Sequence, residues 1–274
     1  MEEAKTFERC LVLGGGGARA ACGAGVLLYL REQGFSPDLI VGTSLGTLVG
    51  ALILSAVRRG EKPLDHLVKA GFLGASLPLE PGGTFLDDYL ERLFCREERI
   101  EDLPLPLAVT TLDLNSGKTV IFRRGFLREV LRAAMAMPGW FSPVERGGRL
   151  LIDAASSDLL PLRAARALGA RRVMAVDPGF PWQAEELTDP GRVRGRVTSL
   201  LSRRLYLRER EGADLLLEPR VDGIHWADFP RFSESLEAGY QESRDKSLLV
   251  ADFFHEGGER RGAVELFDET EVEE

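Results

Sequence analysis

Gly42-Thr43-Ser44-Leu45-Gly46 sets a serine between two glycines, inside a run from Leu39 to Val57 that holds no charged residue. A serine hydroxyl is a weak nucleophile until a base takes its proton, and its attack on an ester builds an oxyanion that needs preorganised donors. The G-x-S-x-G spacing suits the first need. Small neighbours permit a sharp strand-to-helix turn that presents the hydroxyl, with the positive end of the next helix behind it. A second cluster, Gly14-Gly15-Gly16-Gly17, suits the other need, because glycines expose backbone N–H groups and let the chain approach a substrate closely.

Each cluster has a rival reading. Gly42, Gly46 and Gly50 also fit G-x-x-x-G, and 19 uncharged residues are enough to span a bilayer. An apolar strand followed by a helix packed beneath a sheet accounts for the same run without a membrane. Gly15-x-Gly17-x-x-Ala20 fits the dinucleotide fingerprint, which wants an acid at the end of the second strand; Asp38 stands at that strand's start. No P-loop pattern occurs.

The base is expected to be an acid. An α/β-hydrolase would place its elbow after several strands and close its triad with a late histidine. Here the elbow follows the second strand. His66 lies in an amphipathic helix, His225 in a polar loop and His255 near the tail, and each reads as a surface residue. Asp153 closes the apolar strand "LLI" and precedes two alanines, so desolvation would raise its pKa toward a useful range.

The elements that hold these residues alternate. "CLVLGGGG" reads as a strand entering a glycine loop, "ARAACGAGVLLYLREQG" as a helix stopped at Gly34, "DLIVG" as a strand, and "SLGTLVGALILSAVRRG" as a helix ended by Gly60. This order implies a parallel sheet covered by helices. "PLDHLVKAGFL" and "FLDDYLERLF" read as helices around the turn "SLPLEPGGT", and residues 61–102 are expected to border the substrate entrance. "LPLAVTTLDLNSGKTVIF" reads as a hairpin about Asn115-Ser116-Gly117. A helix up to Pro138, the strand "GRLLIDAA" and a helix–strand pair, "LRAARALGARRVMAVD", follow. Residues 180–212 are Arg-rich and poorly patterned, "ADLLLEP" is a last strand, and "FSESLEAGYQESRDKSLLVADFF" is one last long helix. The acidic tail, 257–274, reads as a solvated end.

With 274 residues, 44% hydrophobic and 28% charged, the chain has an ordinary globular balance and can bury a substantial core. A net charge of −8 argues against nucleic acid as a partner. Three cysteines without C-x-x-C spacing suggest a reducing compartment, and the first residues lack a signal-peptide core, so a cytoplasmic protein without a transmembrane segment is expected.

Taken together over residues 9–245, "GGGGAR", "GTSLG" and "IDAASSDLLP" resemble the patatin-like phospholipase family, the lipid acyl hydrolases that use a Ser–Asp dyad. "EDLPLPLAVTTLDLNSGKTVIF", "AMPGWFSPV", "ARALGARRVMAVD" and "LEAGY" add to the likeness. The resemblance implies an α/β, three-layer α/β/α fold with a central mostly parallel sheet, one domain over 1–274 with a helical insertion at 61–102. It implies Ser44 as nucleophile, Asp153 as base, Gly15, Gly16 and Gly17 as oxyanion donors, and Arg19 and Thr43 at the substrate. It implies a lipid or acyl-ester substrate, transient contact with a membrane surface, and no cofactor or metal. Two departures stand out: Ala20 follows the basic residue, and Ala154-Ala155 follows the acid, where glycine is usual. Alanine resists positive φ. The competing expectations are a degenerate relative that binds lipid or a protein partner without catalysis, and a membrane-anchored interaction protein.

Overall fold

The computed structural model describes residues 6–76, 85–180 and 188–255, and the backbone of 270–273. Among them, nine strands form one mixed sheet in the order β5-β6-β3-β2-β1-β7-β8, with β4 beside β3 and β9 beside β4. The strands are β1 (Phe7–Leu13), β2 (Leu39–Thr43), β3 (Leu107–Asp113), β4 (Thr119–Phe122), β5 (Val144–Arg146), β6 (Arg149–Asp153), β7 (Ala170–Val176), β8 (Leu215–Leu217) and β9 (Thr270–Glu273). The centre, β3-β2-β1-β7-β8, is parallel throughout, while β4 and β6 run against β3.

Helices cover both faces, giving the three-layer α/β/α architecture. They are α1 (Cys22–Glu32), α2 (Leu45–Arg58), α3 (Pro63–Ala75), α4 (Phe85–Leu93), α5 (Leu127–Ala134), α6 (Leu162–Ala167), α7 (Pro190–Glu209), α8 (Phe232–Asp245) and α9 (Ser247–Phe254). The period-2 alternation of the strands sorts their side chains between two cores. Leu11, Leu13 and Ile40 join the larger cluster with α1, α2, α4 and α5. Cys10, Val12, Leu39 and Val41 join the smaller one with α6 and Tyr206 of α7. The uncharged run of Leu39–Val57 is therefore β2, the elbow and α2, nearly all buried. Among the described residues no helix is long and apolar enough to cross a membrane.

Three expectations change. The Arg-rich stretch 180–212 holds α7, a helix of 20 residues, whose start Asp189 caps by accepting from the N–H groups of Gly191 and Arg192, with Pro190 in the first turn. The last long helix is two, α8 and α9, because Lys246 leaves helical geometry at φ −99°, ψ 23°. The acidic tail is not wholly a solvated end: the backbone of Thr270–Glu273 pairs in parallel with Thr119–Phe122. The turn residues 77–84 lie outside the described residues.

The register of β3 positions the chemistry. β2 runs parallel to β3 and ends with Thr43 opposite Thr110. β6 runs antiparallel to β3 and ends with Asp153 opposite Thr111. β4 occupies the other edge of β3 across Val109–Leu112, so β2 and β6 share one edge and meet end to end there. The residue that follows β2 and the residue that closes β6 are thereby brought face to face.

Candidate active site

Ser44 is the one non-glycine residue with positive φ among the described residues, at φ 52° and ψ −131°. Such a conformation costs on the order of 1–3 kcal/mol and persists only where the surroundings enforce it. Here they do so through close packing. A Cβ on Gly42 would sit 2.6 Å from the Thr47 Cα, and one on Gly46 would sit 2.5 Å from the carbonyl oxygens of both Leu13 and Gly14. The two glycines of G-x-S-x-G are thus required by approach distance, and they fold the turn tightly enough to lift the serine above the sheet.

The Ser44 hydroxyl donates to Asp153 Oδ2 at 2.6 Å, across 109 residues of sequence. Oδ1 of the same carboxylate accepts from the Ala155 N–H at 2.9 Å, which fixes the plane of the group. Asp153 is buried, and burial pushes its carboxyl up to about 6, against the pull of the Ser44 and Ala155 hydrogen bonds. Ala154–Ser156 form one right-handed turn of 3-10 helix, so the alanines after the acid need no positive φ and fit where they stand.

The glycine loop is held from both sides. Gly14 donates to Val176 O at 3.1 Å and Gly15 to Leu159 O at 2.8 Å. The Gly15 N–H is therefore already engaged, which corrects its expected role as an oxyanion donor. Gly16 and Gly17, with φ 146° and 60°, line the cavity beside Ser44. Leu45 lines it as well, and its N–H, the first of α2, has no acceptor within the helix.

Arg19 and Thr43 make bonds within the protein. Arg19 is buried and bonds the Gly179 carbonyl, tying the turn after β7 to the glycine loop. Thr43 is fully buried; its hydroxyl lies 2.7 Å from that of Thr110 and 2.9 Å from the Asp158 carbonyl oxygen. Neither side chain lines the cavity. No histidine lines it either, and His66 pairs with Glu61 at 2.6 Å on the surface.

The cavity above the dyad holds about 430 Å³, within the usual range for a small-molecule site. Its walls are mainly apolar and aromatic: Leu86, Tyr89, Met137, Trp140, Phe141 and Trp226 are among them. Gly74, Phe85, Leu86 and Tyr89 come from α3 and α4, so the 61–102 segment does border the site. The sequence reading missed the opposite wall, where Arg196, Thr198, Ser199 and Ser202 of α7 face the cavity and Ser202 bonds the Ser156 carbonyl at 2.6 Å. The Asp189-Pro190 start signal was the clue to that helix. Among the described residues no group of three or more His, Cys, Asp or Glu side chains is placed to hold a metal ion.

A mostly parallel sheet sandwiched by helices, with a serine on a strained strand–helix elbow bonded to a buried carboxylate, defines the class: an α/β/α protein that holds a hydroxyl on a carboxylate at the floor of a cavity. Comparison with known proteins makes the class particular. The family model for patatin-like phospholipase matches residues 11–166, and the chain belongs to that family. It is 28% identical over 270 residues to patatin-like phospholipase domain-containing protein 7 of Rattus norvegicus, covering 84% of this chain and 20% of that protein. It is 30% identical over 180 residues to the lysophospholipase NTE1 of Mycosarcoma maydis, covering 62% and 10%. Against an uncharacterized NTE family protein of Mycobacterium bovis it is 35% identical over 173 residues, covering 61% and 48%. The chain spans about a fifth of the length of the first of these curated relatives. The family is one of lipid ester hydrolases.

Proposed function

We propose that this chain hydrolyses acyl esters of lipids, phospholipids above all, through the Ser44–Asp153 dyad. One observation carries the reading: the 2.6 Å hydrogen bond from the Ser44 hydroxyl to a buried carboxylate at the floor of an apolar cavity. Asp153 takes the serine proton as Ser44 Oγ attacks the ester carbonyl. The N–H groups of Gly16 and Gly17, with that of Leu45 at the N-terminus of α2, receive the oxyanion. Asp153 then passes its proton to the departing alcohol. In the second half it takes a proton from water, which attacks the acyl-serine, and it returns that proton to Ser44 Oγ as the fatty acid leaves.

The apolar walls suit an acyl chain and leave the head group toward solvent. A lysophospholipid, the substrate in the name of the Mycosarcoma relative, carries one such chain and is a natural first substrate to offer. The alanines after Asp153 favour an active enzyme over a degenerate relative, since their turn leaves the carboxylate on the serine. We place the protein in the cytoplasm and read residues 9–245 as one patatin-like unit. The test is a panel of esters of graded chain length, with fluorophosphonate labelling, on the wild type and on Ser44→Ala. Loss of both turnover and labelling in a folded Ser44→Ala protein is expected. Wild-type kcat in that variant on any ester of the panel would overturn the assignment.

A further inference from the structure

Helix α7 wears its amphipathic pattern inside out. Its polar residues Thr198, Ser199 and Ser202 face the cavity, while Val193, Val197, Leu200 and Leu201 are exposed at 43%, 51%, 43% and 56%. Their spacing is that of one helical face. Leu205 and Leu207 extend the exposed apolar surface, and of the 20 residues only Tyr206 and Glu209 are buried. A water-facing helix of a globular domain normally turns such a stripe to the core. The charge is inverted as well. α7 carries Arg192, Arg194, Arg196, Arg203, Arg204 and Arg208, and its one acid, Glu209, is buried, in a chain whose net charge is −8.

We infer that the outer face of α7 docks the protein on a lipid surface rich in anionic head groups. Val193, Val197, Leu200 and Leu201 enter the boundary between head groups and acyl chains, and Arg194, Arg204 and Arg208 meet the phosphates and carboxylates. Charge complementarity selects this occupant. In a chain of net charge −8, a helix with six arginines and one buried acid is a local excess of positive charge, and it sets the orientation of approach. A second copy laid on the same face would bring arginine against arginine. A nucleic acid would find exposed aliphatics in place of the aromatic rings that stack on bases. Because the inner face of α7 walls the cavity, docking brings the site to within one helix of the bilayer surface. The inference rests on the lipid-hydrolase reading for its purpose, but the binding can be measured without turnover.

The test uses the full chain carrying Ser44→Ala, co-sedimented with vesicles of phosphatidylcholine alone or of phosphatidylcholine with phosphatidylserine. Binding to the second kind is expected, weakened by salt. In that background, Val197→Asp with Leu201→Asp, and separately Arg204→Gln with Arg208→Gln, should each weaken binding roughly tenfold or more. With Ser44 intact, both double variants should turn over a soluble short-chain ester as the wild type does, which shows that they fold. Equal binding to both vesicles, binding to neither, variants that bind undiminished, or a dimer that the same substitutions split would each overturn the docking face. Vesicle binding by a protein that hydrolyses no ester would sink the hydrolase reading and leave the docking face standing. Ester turnover without vesicle binding would do the reverse.

Discussion

The floor and the outer wall of the cavity are built on opposite terms. At the floor, position is dictated by backbone. Gly46 sits so close to the Leu13 and Gly14 carbonyls that a methyl group cannot enter, Ser44 is forced to positive φ, and the dyad carboxylate is fixed by Ala155. At the wall, α7 contributes side chains to the cavity while burying almost nothing of itself. A region whose parts are fixed by one another can hold reacting atoms to within a few tenths of an ångström. A region that leaves an apolar face open is shaped for something outside the chain.

The sharpest way to separate the two is at the dyad. Asp153→Asn keeps the shape of the side chain and removes its basicity, so kcat should fall by roughly 10²–10⁴. In the wild type, activity should rise with pH through an apparent pKa near 6, the value to which burial pushes the carboxyl. Stability should move the other way. The native pKa lies above the unfolded one, so the buried charge costs nothing below about pH 4 and its full amount above about pH 6. Asp153→Asn should therefore be more stable than the wild type at pH 7.5 and equal to it at pH 4, read by urea midpoints. An unchanged kcat, or a profile flat from pH 5 to 8, would break the assignment of the base.

Next in size is the packing of the floor. Gly46→Ala puts a methyl group against two carbonyl oxygens at 2.5 Å, and the shift this forces should destabilise the protein by roughly 3 kcal/mol. Thermal unfolding that matches the wild type would mean that the elbow is not held as tightly as the contact demands. The smallest effect belongs to the wall. Leu201 is 56% exposed, and Leu201→Ser should change stability by less than about 0.5 kcal/mol. A larger loss in the isolated protein would show that α7 packs against its own chain and that the contrast drawn above is false.

The floor was legible in the sequence and the wall was not, for a physical reason. Gly42, Ser44 and Gly46 are forced by distances within a few residues, so the requirement leaves a local pattern. Asp153 was legible because an apolar strand ends in a charge. The Asn115-Ser116-Gly117 turn likewise announced the β3–β4 pair through Gly117, which adopts φ 74°. α7 was missed because six arginines and a glycine interrupt the i, i+4, i+7, i+8 spacing of Val193, Val197, Leu200 and Leu201, which leaves a weak periodic signal. The occupied N–H of Gly15 and the buried bonds of Arg19 were invisible for another reason. Their partners, Leu159 and Gly179, come from distant segments, and no local spacing encodes them. The break at Lys246 carries neither glycine nor proline to mark it.

The meeting of β2 and β6 on one edge of β3 also orders events in time. β1, β2 and α2 build the elbow within the first 58 residues, and the carboxylate that Ser44 bonds lies outside them. The carboxylate arrives only when β6, 109 positions along the chain from Ser44, completes the same edge. Closing so long a loop is slow compared with forming a helix. Refolding is expected to form the elbow before the Ser44–Asp153 bond, an order that pulsed hydrogen exchange of the β2 and β6 amides would check.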